Sequence, residues 1–161
     1  MSFGPTYKIK SVFQIDTKKL KDDNIRLVIF DADCTLIEDK AFFVEEKMME
    51  KINEFEKAGF SVVIASNGKI HRINKVFANH PIKAYPMCLK PLPFKLKKIM
   101  KGYKKEEVVL VGDQFFTDIL CANLAGIKSY MVAPYGEQKG NFLKIKRALE
   151  KIIVGDFRKW E

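Results

Sequence analysis

Short apolar runs and helix-period segments alternate along the chain. Residues 25–30, IRLVIF, read as a strand, after which Val44, Met48, Ile52 and Phe55 recur on one helical face. Gly59 ends that helix, and residues 60–65, FSVVIA, supply the next strand. Ile70, Ile73, Val76 and Phe77 predict a second helix, and residues 82–85 a shorter strand closed by Pro86. Leu96, Ile99, Met100 and Tyr103 stand at helical spacing, with Pro91 and Pro93 near the helix start, where a missing amide costs little. A strand over 108–111, a helix over 116–125 ended by Gly126, a strand over 127–133 and a terminal helix marked by Phe142, Ile145, Leu149, Ile152 and Ile153 complete the series. Strands rich in valine and isoleucine between helices predict a three-layer α/β domain with a parallel sheet covered on both faces. One domain is expected over residues 1–161, with the mixed, basic residues 1–24 as an N-terminal arm.

Composition narrows the class. At 47% apolar side chains, 161 residues suffice for one sizeable core. No run approaches the roughly 18 apolar residues of a membrane span, and the N-terminus lacks a signal-peptide stretch, so a soluble, cytoplasmic protein is expected. Cys34, Cys88 and Cys121 show no Cys-x-x-Cys spacing and predict reduced thiols rather than a disulfide framework or zinc site. The net charge of +9 gathers at 18–21, 95–105 and 139–147. It favours anionic partners, although solvated helix faces account for most of these lysines. With no nucleic-acid motif in the chain, specific nucleic-acid binding is not expected.

Candidate chemistry lies at the strand ends, where sheets of this kind bind ligands. Asp31 and Asp33 follow the first strand in VIFDADCTL, and Ser66 and Asn67 follow the second. Lys90 precedes the helix leading to the fourth strand, and Asp113 follows that strand with Asp118 five residues on. Each element alone has an ordinary reading, as a loop cap, a strand-to-helix turn, a surface lysine or a residue complementing a helix dipole. A calcium loop is excluded because Leu36 stands where glycine is needed and Phe42 where the last glutamate is needed. A receiver domain is excluded because the third strand ends in Tyr85-Pro86.

The combination is more specific. Phosphoryl transfer needs a nucleophile, an acid, a divalent cation and groups that hold the phosphate. Asp31 can attack phosphorus, and Asp33 can protonate the leaving alcohol and then activate water. Asp31 and Asp113 would repel one another without a hard cation, a role magnesium fits. Ser66, its main-chain amide and the start of the following helix can hold phosphate oxygens, and Lys90 can balance the charge.

These motifs resemble those of the haloacid dehalogenase superfamily of phosphatases, which has a Rossmann-like fold. Its DxDxT motif matches Asp31-Ala32-Asp33-Cys34-Thr35, its Ser/Thr motif Ser66, its lysine motif Lys90 and its GDxxxxD motif Asp113 and Asp118. The resemblance implies Asp31 as nucleophile, Asp33 as acid/base, and Ser66, Asn67 and Lys90 around the phosphate. It implies magnesium held by Asp31, Asp113 and the main-chain carbonyl of Asp33, with Thr35 and Asp118 behind them.

The chain more closely resembles the YqeG branch of subfamily IIIA, which includes the phosphatidylglycerophosphate phosphatases of mitochondria. That likeness runs through KPLPF and VGDQFFTDILCANLAGIKSYMVAP. Cys34 stands where this branch usually has Asn, and Ala32 and Gly68 also depart from its pattern.

The spans between motifs leave no residues for a cap domain, so a bulky substrate is expected. A phosphatidylglycerophosphate-like headgroup at an anionic membrane surface leads. A phosphoprotein or nucleotide phosphatase, and a non-catalytic binding protein of the same fold, remain alternatives. The oligomeric state is not legible in the sequence.

Overall fold

The computed structural model of the chain describes residues 3–136 and 141–161, so Lys139 of the third basic cluster lies outside the described residues. In chain order it forms β1 (Tyr7–Ile9), α1 (Thr17–Asp22), β2 (Leu27–Phe30), α2 (Glu46–Lys57), β3 (Ser61–Ala65), α3 (Ile70–Phe77) and β4 (Lys83–Tyr85). There follow α4 (Phe94–Ile99), β5 (Val108–Gly112), α5 (Leu120–Ala125), β6 (Lys128–Val132) and α6 (Asn141–Val154). All strand pairs are parallel, in the order β1-β6-β5-β2-β3-β4.

The layering follows from side-chain alternation along the strands. Val28 and Phe30 pack with Met48, Ile52 and Phe55 of α2 and Ile73 and Phe77 of α3. Leu27 and Ile29 pack on the opposite face with Leu96 of α4 and Cys121 and Ala122 of α5. All four β2 residues are therefore buried, which is why this strand reads as a continuous apolar run. The three-layer α/β arrangement is the one expected.

Residues 3–24, within the expected N-terminal arm, contain a strand and a helix. Tyr7 and Ile9 are half-buried against the core while Lys8 faces out, and β1 pairs with β6 at the sheet edge. In α1, the Asp16 side chain accepts from the Lys18 N–H at 2.9 Å and Leu20 is fully buried. A three-residue edge strand buries too little to leave a strong apolar pattern.

The sheet order places the reversal of winding between β2 and β5, where open α/β sheets form a ligand crevice. Phe30 is in register with Ile64 of β3 and Val111 of β5. Asp31, Ser66 and Asp113 therefore leave three adjacent strands at the same edge. One helix, α2, lies between β2 and β3, and one, α3, between β3 and β4, so neither span holds a cap.

α5 is entered through a wider π-type turn over Phe115–Ile119 and ends at Gly126, whose φ of 76° is a left-handed conformation suited to glycine. α6 forms where the apolar period predicts it, but that period marks its solvent face. Phe142, Ile145, Leu149, Ile152 and Ile153 are exposed, while Glu150 and Val154 are buried. Among the described residues, no helix is long and apolar enough to cross a membrane.

Candidate active site

Two carboxylates end the two central strands. Asp31 follows β2 and donates its main-chain N–H to the Val111 carbonyl at 2.9 Å, continuing the pairing with β5 beyond the strand. Asp113 follows β5 and is fully buried. With Asp118, these residues bring three carboxylate oxygens within 4.8 Å of one another. The concentration of charge has the expected electrostatic result. Burial, then repulsion from Asp118, pushes the Asp31 carboxyl well above its ordinary value, with Lys90 opposing. Burial pushes Asp113 up to about 6 against the pull of Arg147. Oxygen donors set this close can hold a metal ion, and the hard, all-carboxylate donor set fits an ion such as magnesium.

Lys90 stands among these carboxylates. Its Nζ donates to Asp31 Oδ1 and to Asp118 Oδ1, each at 2.6 Å, and its side chain is 2% exposed. Burial works against the ammonium charge, but Asp118 and Asp31 outweigh it and hold the pKa above its ordinary value. The Lys90 main chain is clamped by Asn67. The Asn67 Nδ2 donates to the Lys90 carbonyl at 2.9 Å, and its Oδ1 accepts from the Lys90 N–H at 2.8 Å. One N–H and the carbonyl oxygen of the Asn67 amide thus hold the Lys90 main chain, and Asn67 also lines the cleft, where it was expected beside a phosphate.

The turn after β2 folds back through Cys34, whose φ of 61° is left-handed, and returns Thr35 to the carboxylates. The Thr35 hydroxyl donates to Asp113 Oδ1 at 3.0 Å and lies 3.5 Å from Asp31 Oδ2. Ser66 is buried, with its hydroxyl accepting from the Gly68 N–H at 2.9 Å and its own N–H donating to the Tyr85 carbonyl at 2.9 Å. Its amide, expected to face a phosphate, is committed to β4, and the hydroxyl keeps its proton to donate. Asp118 Oδ2 accepts from the Gln114 N–H at 3.1 Å. Gly112 makes room for Asp118, since a Cβ there would overlap the Asp118 Cβ and Cγ.

Two arginines that sequence reasoning missed complete the site. Arg72 of α3 pairs with Asp33 Oδ2 and also donates to the Ala41 carbonyl at 3.1 Å, while the Lys40 N–H donates to Asp33 Oδ1 at 3.0 Å. Arg147 of α6 pairs with Asp113 Oδ2 and donates to the Asp113 carbonyl at 2.6 Å and to Glu150 at 2.9 Å. Glu150 in turn accepts from the Phe115 N–H at 2.8 Å, which ties α6 to the loop after β5. A usable signal did exist. The chain has only four arginines among its 29 basic residues, and the planar guanidinium is the cation suited to carboxylate pairing.

The cleft above these groups has a volume of about 230 Å³ and is lined by Asp31, Asp33, Ser66, Lys90, Gln114 and Lys146, among others. A larger cavity of about 350 Å³ shares Asp113 and Arg147 with the site. Its other walls include Met131, Val154, Phe157 and Trp160, so it lacks Asp31 and Lys90. The smaller cleft therefore gathers the reactive groups: the buried Asp31 carboxylate, the Lys90 ammonium in contact with it and a second carboxylate, Asp33, on its wall.

Comparison with known proteins agrees with this geometry. Residues 2–134 match the family described as mitochondrial PGP phosphatase. The chain is 28% identical over 159 residues to the probable phosphatase YqeG of Bacillus subtilis, covering 98% of this chain and 92% of that protein. Among solved structures, an uncharacterized protein from Listeria monocytogenes serotype 4b superposes with a TM-score of 0.57 at 19% identity, covering 80% of this chain and 99% of that one. The 4-nitrophenylphosphatase of Thermotoga maritima superposes with a TM-score of 0.52 at 15% identity, covering 76% and 91%. These two likenesses show a shared fold.

Proposed function

Since the chain belongs to the mitochondrial PGP phosphatase family and is a phosphoric monoester hydrolase of the haloacid dehalogenase type, we propose that it works by a magnesium-dependent, two-step mechanism on a phosphatidylglycerophosphate-like lipid. The observation that carries this reading is the 2.6 Å contact of Lys90 Nζ with Asp31 inside the buried Asp31, Asp113 and Asp118 cluster.

In the first step an Asp31 oxygen attacks phosphorus, the bond to the leaving oxygen breaks and Asp33 gives its proton to the departing alcohol. In the second, Asp33 takes a proton from water, which attacks the aspartyl-phosphate, releases inorganic phosphate and restores the Asp31 carboxylate. Lys90 holds Asp31 in position and offsets charge on the transferred group. The Ser66 hydroxyl donates to a phosphoryl oxygen, and Asn67 keeps Lys90 in place. Asp31 and Asp113, together with the Asp33 main-chain carbonyl, would hold the magnesium ion, with Thr35 and Asp118 orienting the carboxylates and lysine. When bound, the ion supplies positive charge that keeps both buried carboxylates ionised and neutralises the phosphoryl oxygens.

Three features support a lipid substrate. The family description names PGP, the protein carries a net charge of +9, and the cleft has no cap to close over a small metabolite. The test compares catalytic efficiency on phosphatidylglycerophosphate in anionic vesicles, nucleoside monophosphates, phosphopeptides and an aryl phosphate, with and without magnesium. The lipid should be preferred and every activity should need the metal. A wide preference for a nucleotide or phosphopeptide would overturn the lipid assignment. Equal turnover by the wild type and Asp31→Asn would overturn the mechanism.

A further inference from the structure

α6 sits the opposite way round from an ordinary surface helix. Its inward face carries charge: Arg147 reaches Asp113, and Glu150, 3% exposed, accepts from Arg147 and from the Phe115 N–H. Its outward face is apolar, with Phe142, Ile145, Leu149, Ile152 and Ile153 between 43% and 82% exposed. The orientation is fixed from within, because turning the stripe inward would break the pairs that hold Asp113 and the loop after β5. At about 3.6 residues per turn the five side chains fall in an arc roughly 100° wide. Lys146 lies about 20° beyond one margin of this arc, while Lys144 and Lys151 lie about 80–100° beyond the other, toward the inward face, with Lys151 3.3 Å from Asp156.

We propose that α6 is the docking element for an anionic lipid surface, lying in the plane of the interface with Phe142, Ile145, Leu149 and Ile152 inserted. A helix of this length spans about 21 Å and is too short and too charged to cross a bilayer, but it suits the boundary between headgroups and acyl chains. Charge decides between a lipid surface and a second copy of the chain. A two-fold pairing through the stripe would bring together two chains each of net charge +9, whereas anionic headgroups neutralise such charge.

Other large apolar side chains are exposed near the strand ends. Phe42 and Phe43 are exposed in the segment leaving β2, and Leu89 and Phe94 in and after the segment leaving β4. These segments leave the strand ends at which the cleft opens, and a broad surface can meet several of them at once. Lys146 lines the cleft itself and bonds Gln114 at 2.7 Å, so the docked helix carries its own cation to the mouth of the site. The purpose assigned to this docking, delivery of the cleft to a membrane-borne phosphate, rests on the lipid reading above.

The experiment measures co-sedimentation with vesicles of phosphatidylcholine alone or mixed with phosphatidylglycerol. It uses the wild type, the triple variant Ile145→Gln, Leu149→Gln, Ile152→Gln, and the pair Lys144→Gln, Lys151→Gln. The wild type should partition to the mixed vesicles and be released by salt. The triple variant should bind at least about tenfold more weakly, from loss of three inserted aliphatic side chains. The lysine pair should show a weaker preference for anionic lipid. All three proteins should hydrolyse a soluble aryl phosphate equally, which shows that the fold is intact. Equal vesicle binding by the wild type and the triple variant overturns the proposal. So does a lipid-free wild-type dimer that the triple variant disperses. Binding that depends on α6 without hydrolysis of phosphatidylglycerophosphate would refute the substrate reading and leave the docking surface standing.

Discussion

Replacing Lys90 by methionine removes an ammonium while keeping most of the side-chain volume. Two buried carboxylates, Asp31 and Asp118, each lose a 2.6 Å charged hydrogen bond; Asp118, 1% exposed, cannot recover it from solvent, and Asp31 has only the narrow access of the cleft. Removing one partner of a buried ion pair costs about 3–5 kcal/mol. For a chain of this size that corresponds to a melting temperature lower by about 6–20 °C. The penalty has a definite pH dependence. Burial already raises the Asp31 carboxyl well above its ordinary value, and loss of Lys90 raises it further. The folded variant therefore holds the Asp31 proton more tightly than the unfolded chain does. Its deficit relative to wild type is largest where Asp31 is ionised in both proteins and shrinks as pH falls through the variant's raised Asp31 value, because protonation removes the charge that Lys90 had met. Urea denaturation of both proteins at pH 7 and pH 4.5 measures this directly. Lys90→Met combined with Asp118→Asn should recover part of the loss. A Lys90→Met deficit below about 1 kcal/mol at pH 7, or one of equal size at both pH values, would refute the reasoning.

Gly112→Ala should displace Asp118 from Lys90, lowering stability by about 1–3 kcal/mol in urea denaturation and reducing kcat. Arg72→Ala should leave the melting temperature nearly unchanged, since this pair is partly exposed, yet lower kcat about tenfold or more by freeing Asp33, with Arg72→Lys restoring little. Because burial pushes the Asp113 carboxyl up to about 6 and also raises Asp31, magnesium must compete with protons as pH falls. Its affinity, read from the magnesium-dependent rise in melting temperature, should fall by about tenfold or more per pH unit below pH 6.

The central strands were legible because both their faces are buried, so β2 and β5 read as unbroken apolar runs. β1 escaped notice because only Tyr7 and Ile9 touch the core, over three residues at an edge. The motif carboxylates and Lys90 were legible because strand ends of such a sheet converge, and the register of β2 with β3 and β5 brings them together. Arg72 and Arg147 were not, because each lies in a basic helix and meets its aspartate only through the way that helix packs. The facing of α6 is a related case. Helical period reveals that a stripe exists, but which side faces inward was decided by Arg147 and Glu150.

Covalent capture at Asp31 tests the central claim most directly. The enzyme is mixed with magnesium and an aryl phosphate, quenched during turnover, reduced with borohydride and mapped by peptide mass spectrometry. An aspartyl-phosphate reduces to homoserine, so the account predicts homoserine at position 31, absent without magnesium and absent in Asp31→Asn. Modification at another residue, or steady turnover with position 31 unmodified under the same quench, would contradict it.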